Sequence, residues 1–589
     1  MMEPRVTKRD RKLHLSYELR HRLHCSAIYP IVAPNGSTVI VYGHERGLRI
    51  LWRGGRRRRQ PESRPESNRL RQHESVHING NGDGDQSTDE YEEEEDEVDP
   101  DCAYLSIIED VEIGLEAGVL DLAVPSISAS VWPQAAGVLR RRAVLAVALA
   151  DGTQRVISVS LTPPTDNTTR AFLKEVRTSQ IMLPGPGSIC RAIAMKATTH
   201  IESAAADVTD WHLIVAAASD SLSVSRISFS GQALGLDSSS LATRTIGLPY
   251  RATHLSFTPS MRAAQLLLVN TTGEVHLLDP MDGLDADQVH SSSSKSALRL
   301  PPTTNDTGRW LMTFHTPLVQ GRPGRARRKC ILSAEYVLTG KAILVLLEDG
   351  EWGIWDVAGP SQPGRSAEDF VLRGFLGLSS AAESAEPSDP KRGGSKLAPM
   401  TPNTRKAKAE NLFAGTPKVA GMTAKGGISV TQNSFRTGQT DESVVMWYGS
   451  DVYTIPSLQA FWQRSTAGSG GGFGSLYSPG LTHITDINLM NEAITSISQF
   501  GSKSSSNSLG QMNTQRDLLV SAEHRFIILQ STRPPTPAKA LFQQAVAERP
   551  TSRDQRMLDA GDLDIGGMDR MLDSMANDDA RPRRVGFAH

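Results

Sequence analysis

Residues 342–359 read AILVLLEDGEWGIWDVAG. Six apolar residues run without a break to Glu348, the pair Asp349-Gly350 follows, and a second run closes on Trp355 and Asp356. Asp-Gly between two strand-like runs is a strong short-range signal for a β-hairpin, because tight turns that match strand twist need positive φ. The same layout recurs in STVIVYGHERGLRILW (37–52), AVLAVALADGTQRVISVSL (143–161), WHLIVAAASDSLSVSRISF (211–229), QLLLVNTTGEVHLLD (265–279), SVVMWYGSDVYTIPSL (443–458) and RDLLVSAEHRFIILQ (516–530). The chain therefore carries seven such hairpins.

The first arm of each is almost continuously apolar, as in Leu266, Leu267, Leu268 and Val269. The second arm tends to alternate, with Val156, Ser158 and Ser160 against Ile157, Val159 and Leu161. This pattern predicts an inner strand buried on both faces and an outer strand with one wet face. A hairpin of this kind cannot bury its apolar surface alone, so seven of them predict a repeat architecture closed on itself. The expected fold is all-β, a single seven-bladed WD40-like β-propeller. Closure would bring the chain's ends into a shared blade, with residues 13–31 pairing near residues 484–530 so that no strand edge is left open.

Seven blades at ~40–45 residues each need about 280–315 residues, and the chain has 589. The remainder must be insertions and tails. Hydrophobic residues make up 39% and aromatic residues only 5% of the chain, so a real core is diluted by polar sequence. The expected layout is a flexible basic lead over 1–12 and a propeller over 13–530. Disordered insertions are expected near 54–99, 283–308, 359–440, 464–479 and 501–515, and a mostly disordered tail over 531–589.

The formal net charge of −2 conceals strong segregation, since Arg56–Arg59 is a basic block and Glu90–Glu97 (EYEEEEDE) an acidic one. Such blocks are solvated linker by default; the basic one would alternatively serve as a nuclear-import signal or a patch for an acidic partner. Balanced charge gives no support for direct nucleic-acid binding. Four cysteines, with no CxxC pair, predict neither a disulfide framework nor a zinc site. The amino terminus MMEPRVTKRDRK is charged, and no window approaches ~18 apolar residues, so neither a signal peptide nor membrane insertion is expected.

Propellers can host enzymes, yet the chemistry is missing. His21 and His24 stand three apart on an expected strand and so face opposite sides, and His44 reads as a surface residue beside a hairpin turn. GxSxG, HExxH and P-loop motifs are absent from the sequence, and GSGGGFG (468–474) lacks the GK[ST] ending of a phosphate loop. The reading is a non-enzyme with no catalytic, cofactor or metal site. In the tail, Met568, Met571, Leu572 and Met575 fall at i, i+3, i+4 and i+7, the apolar stripe of a short helix over 555–577. That helix is either a marginal one in a disordered tail or a partner-binding element, because a Met-rich face outside the propeller has no core of its own.

Three stretches carry a resemblance: PNGSTVIVYGHERGLRILWRGGR (34–56), SVVMWYGSDVYTIPSLQAFWQRS (443–465) and LTHITDINLMNEAITSISQF (481–500). Together they resemble the filamentous-fungal form of the thirty-seven-kilodalton nucleoporins, small propeller subunits of the Y-shaped outer-ring complex of the nuclear pore. The resemblance extends over about residues 13–530. It implies a non-catalytic scaffold at the nuclear envelope that supports pore assembly and nucleocytoplasmic transport. It further implies docking on a large propeller/α-solenoid nucleoporin, with an ELYS-like nucleoporin as a second, peripheral partner. The competing reading is a WD-repeat adaptor of another complex, either a ubiquitin-ligase substrate receptor or a ribosome-assembly factor.

Overall fold

The computed structural model describes residues 3–531 apart from 57–103, 128–135, 201–209, 282–308, 320–326, 358–368, 377–424, 435–439, 467–480, 502–515 and a few isolated positions. The tail, including Met568, Met571, Leu572 and Met575, lies outside the described residues.

In the stretch 342–359, strand Ala342–Leu347 is buried throughout and pairs antiparallel with Glu351–Asp356. Gly350 turns the chain at φ +84°, while Asp349 keeps negative φ and instead accepts the Glu351 N–H on Oδ1 at 3.1 Å. The turn thus needs only one residue in the left-handed region, and the Asp side chain supplies the rest of its order. All seven expected hairpins are present, and each forms the middle pair of a four-stranded antiparallel unit.

The apolar first arm is buried and lies inside the second, as the second strand of its blade; the wet face expected on the second arm is not found, since Gln154–Ser160 and Glu351–Asp356 are mostly buried and Ser158 is among the buried residues. The strands nearest the axis are Leu23–Ile28, Val119–Ala123, Ala192–His200, Ala252–Phe257, Ile331–Val337, Gly426–Ser434 and Ile494–Gly501, each touching the next, with the last returning to the first. A middle strand is covered by sheet neighbours on both edges and by adjacent blades on both faces, so it can be apolar throughout. An axial strand lines the channel and carries polar residues, as GGISVTQNS (426–434) does. Blades are numbered 1 to 7 in the order of these axial strands.

Blade 7 closes the ring with the chain's other end. Lys12–Glu18 pairs with Arg525–Ser531 as its fourth strand, setting Leu15 opposite Ile528 and Tyr17 opposite Phe526, whose rings stack at 4.7 Å. Leu15 and Tyr17 are fully buried, in one cluster with Ile40, Tyr42 and Leu51 of blade 1. Residues 1–12 are not merely a flexible lead: Arg5–Arg9 adds a fifth strand outside Lys12–Glu18.

A second correction concerns 359–440, expected as one insertion. It contains the outer strand of blade 5, Leu372–Phe375, and the whole axial strand of blade 6, Gly426–Ser434. Phe370 packs so closely on Gly353 that a Cβ there would sit 2.4 Å from the ring. Trp355 is buried between blades 4 and 5, stacked on Phe314 at 5.3 Å. Helices are short among the described residues: Gly137–Arg141, Thr169–Thr178 and Leu458–Thr466. No described helix is long and apolar enough to cross a membrane.

Candidate functional site

The axial strands surround a cavity of about 550 Å³ whose wall includes Tyr29, Met195, Glu335, Gln432, Glu442 and Arg516. Ionisable groups in such a setting invite a catalytic reading, so their partners decide what they do. Each junction between neighbouring blades proves to be bridged by a polar side chain.

Between blades 1 and 2, His24 Nδ1 meets the Val119 carbonyl at 2.8 Å. Between blades 2 and 3, the half-buried Asp121 carboxylate accepts the Ile193 N–H at 3.0 Å and that of Leu122 at 2.9 Å. Between 3 and 4, Lys196 Nζ donates to the carbonyls of Thr258, Ser260 and Ala263, the last two at 2.6 Å. Between 4 and 5, Glu335 accepts from Ser256 Oγ and lies 3.2 Å from His254 Nε2. Between 5 and 6, Glu442 accepts the N–H groups of Leu338 and Thr339 at 2.6 and 2.7 Å. Those two residues have φ of +52° and +59°, a left-handed turn whose consecutive N–H groups converge on an anion. Between 6 and 7, Gln499 Nε2 donates to the Ser429 carbonyl at 2.8 Å, and between 7 and 1, Ser26 Oγ lies 2.7 Å from Ser496 Oγ. The ionisable groups at these junctions are committed to holding blades together.

Burial pushes the Asp121 carboxyl up to about 6 against the pull of its two N–H donors. For His254, burial acts downward, but the Glu335 carboxylate and the nearby Asp121 charge outweigh it and leave the imidazole above its ordinary value. An unfolded Asp titrates near ~3.9, so between ~4 and ~6 the native chain holds a proton that the unfolded chain has lost. The Asp121 contribution is therefore fully present below ~4 and is lost as pH rises through about 6, a change of roughly 3 kcal/mol. Asp121→Asn should flatten the denaturant-midpoint profile between pH 4 and 7. A profile as steep as the parent's would assign the dependence to other groups.

His21, His44 and Glu112 bring potential ligand atoms within 4.8 Å of one another, contrary to the expectation that His44 is a surface residue; it is fully buried and stacks on His21. The arrangement nevertheless opposes metal binding. The Arg46 N–H donates to His44 Nδ1 at 3.2 Å, so the neutral ring carries its proton on Nε2, which is buried without an acceptor. Neither nitrogen offers a free lone pair. Sequence reasoning had no means of finding this cluster, because Glu112 lies on a strand 68 positions from His44.

The outer rim differs from blade to blade. The outer strand of blade 4, Arg309–His315, exposes Trp310 and Leu311, each at 37%. The edge of blade 7 exposes RVTKR (5–9) instead. Among the described residues, the channel carboxylates Glu335 and Glu442 are both hydrogen-bonded into the ring.

The chain is similar to known proteins. A family model described as the nucleoporin NUP37 N-terminal domain matches residues 16–529, from the fourth strand of blade 7 through all seven blades to its third. Nucleoporin NUP37 of Chaetomium thermophilum is 27% identical over 631 aligned positions, covering 94% of this chain and 82% of that protein. Among solved structures, U3-55K is 10% identical with a TM-score of 0.38, covering 90% of this chain and 98% of its own. The Cps50 (Swd1) β-propeller domain of Myceliophteria thermophila is 8% identical with a TM-score of 0.38, over 90% of this chain and 100% of its own. The RRP9 WD40 repeats are 10% identical with a TM-score of 0.39, over 90% and 99%. With a family match that spans the whole ring, the chain belongs to the NUP37 family of nucleoporins.

Proposed function

We propose that this chain is a non-catalytic structural subunit of the nuclear pore complex, located at the nuclear envelope in the Y-shaped outer ring. The observation that carries the reading is the family match over residues 16–529, which includes every blade. The polar bridges support it: groups that could do chemistry in the channel instead fix a stiff ring, and a stiff ring presents its rim with little ordering cost on binding. Its partner is a large propeller/α-solenoid nucleoporin, with an ELYS-like nucleoporin as a second contact.

Affinity purification of the full chain from its cells should recover outer-ring nucleoporins. Recovery of a cullin complex or of ribosome-assembly factors in their place would overturn the proposal in favour of an adaptor.

The tail supplies part of the contact in this proposal, through Met568, Met571, Leu572 and Met575 as one face of a helix over 555–577. Four apolar side chains at ~1.5–3 kcal/mol each would be offset by ordering the segment, leaving a surplus of several kcal/mol. The fourfold Ser variant should keep its melting temperature and bind the large partner at least tenfold more weakly, about 1.4 kcal/mol. Unchanged affinity in a titration with purified partner would confine the interface to the propeller rim.

A further inference from the structure

The sheet of blade 7 ends in Arg5–Arg9, which pairs on one side with Lys12–Glu18 and on the other with no described strand. All five of its residues are exposed. On an antiparallel edge every second residue turns its N–H and C=O away from the paired strand, which makes a template for one more strand. Its side chains are charged on both faces: Arg5, Thr7 and Arg9 point one way, Val6 and Lys8 the other. With Lys12 at its end, and Glu3 and Glu18 as the nearby carboxylates, the described edge is net positive. Cations on an edge deter apolar strands; they favour a strand of opposite charge.

We propose that this edge is covered by the chain's own acidic segment, Asp89–Glu97 (DEYEEEEDE), lying along it as an added extended strand. Three observations converge on that occupant. Six consecutive carboxylates, Glu92 to Glu97, place acids on both faces of an extended chain, as the cations on both faces of the edge require. The segment belongs to an insertion between two strands of blade 1, the neighbour of blade 7. Its return point, Tyr104, packs on the cluster that contains Leu13 and Leu15 of the strand beside the edge. From Tyr104 back to Glu97 the chain reaches about 25 Å at full extension, and the edge lies only about 5 Å beyond its neighbouring strand. Tethering makes the pairing intramolecular, at an effective concentration on the order of millimolar. The contact masks an otherwise open sheet edge and holds the end of the ring-closing segment in place.

Hydrogen exchange on the full chain tests this. In the parent, those amides among Val6, Thr7 and Lys8 that face away from Lys12–Glu18 should exchange at least tenfold more slowly than in a variant carrying Asp89→Asn, Glu90→Gln, Glu92→Gln, Glu93→Gln, Glu94→Gln, Glu95→Gln, Asp96→Asn and Glu97→Gln. About 0.5 M salt should erase the difference. Reversal of the edge by Arg5→Glu, Lys8→Glu and Arg9→Glu should cost the same protection, and converting the acidic run to Lys in that background should restore it. Equal exchange in parent and neutralised chains would overturn the proposal. So would protection that survives reversal of the edge, which would place the acidic segment elsewhere.

Discussion

Removal of residues 1–19 should leave a chain that no longer accumulates as a soluble propeller. The truncation takes the fourth strand out of blade 7, strips Leu13, Leu15 and Tyr17 from the cluster shared by blades 7 and 1, and opens the edge of Arg525–Ser531. That newly exposed edge, with Phe526, Ile527, Ile528 and Leu529 in one run, is the kind of strand that pairs with other chains. Because the full truncation is expected to abolish folding, a milder variant measures the same interface. Leu15→Ala, at a fully buried position in a ladder opposite Ile528, should cost about 2–5 kcal/mol in denaturant unfolding. Val6→Ala, on the exposed fifth strand, should change that midpoint little, since the residue is already 41% exposed. Comparable losses from both, or none from Leu15→Ala, would show that the ends of the chain do not carry ring closure.

The second large effect is expected at Lys196. Its side chain is 1% exposed, yet its ammonium faces three backbone carbonyls contributed by one loop of blade 4. Burial pulls the amine down to about 7. The three acceptors work in the opposite direction, because only the protonated form has three N–H groups to give. Lys196→Met keeps the length and apolar stem but leaves the carbonyls of Thr258, Ser260 and Ala263 without their donor, each orphan worth about 1–3 kcal/mol. A loss of about 3–5 kcal/mol should follow, with the slope of the unfolding transition unchanged. A loss below about 1 kcal/mol would mean that water serves those carbonyls and that the bridge between blades 3 and 4 is dispensable.

Leu15 and Lys196 both sit at joints between blades, which no local sequence signal marks. Hairpins announce themselves locally: an apolar run, a turn glycine and a second run fix a register within about 20 residues, as 342–359 does. The outer strand Leu372–Phe375 and the axial strand Gly426–Ser434 announce nothing of the kind. The first is four residues long with a half-exposed, alternating pattern, and the second begins with Gly-Gly and carries Thr, Gln and Asn. Neither strand therefore stands out from the polar sequence around it. The strand Arg5–Arg9 carries no local signal for the same reason, since it buries nothing and exists through main-chain pairing.

The polar bridges could not have been read from the chain at all. His24, Asp121, Lys196, Glu335 and Glu442 look in sequence like any other charged residue near a strand. Each becomes structural only when the ring sets it beside main-chain or side-chain partners from a neighbouring blade, 62 to 104 positions away in the cases of Lys196 and Glu442. By itself, the sequence determined the hairpins, their number and hence the ring, because turn chemistry and burial pattern act between near neighbours. Only the tertiary structure decided which strand faces the axis, how the two ends share a blade, and which buried charges are satisfied. Those outcomes depend on contacts between residues that no local periodicity connects.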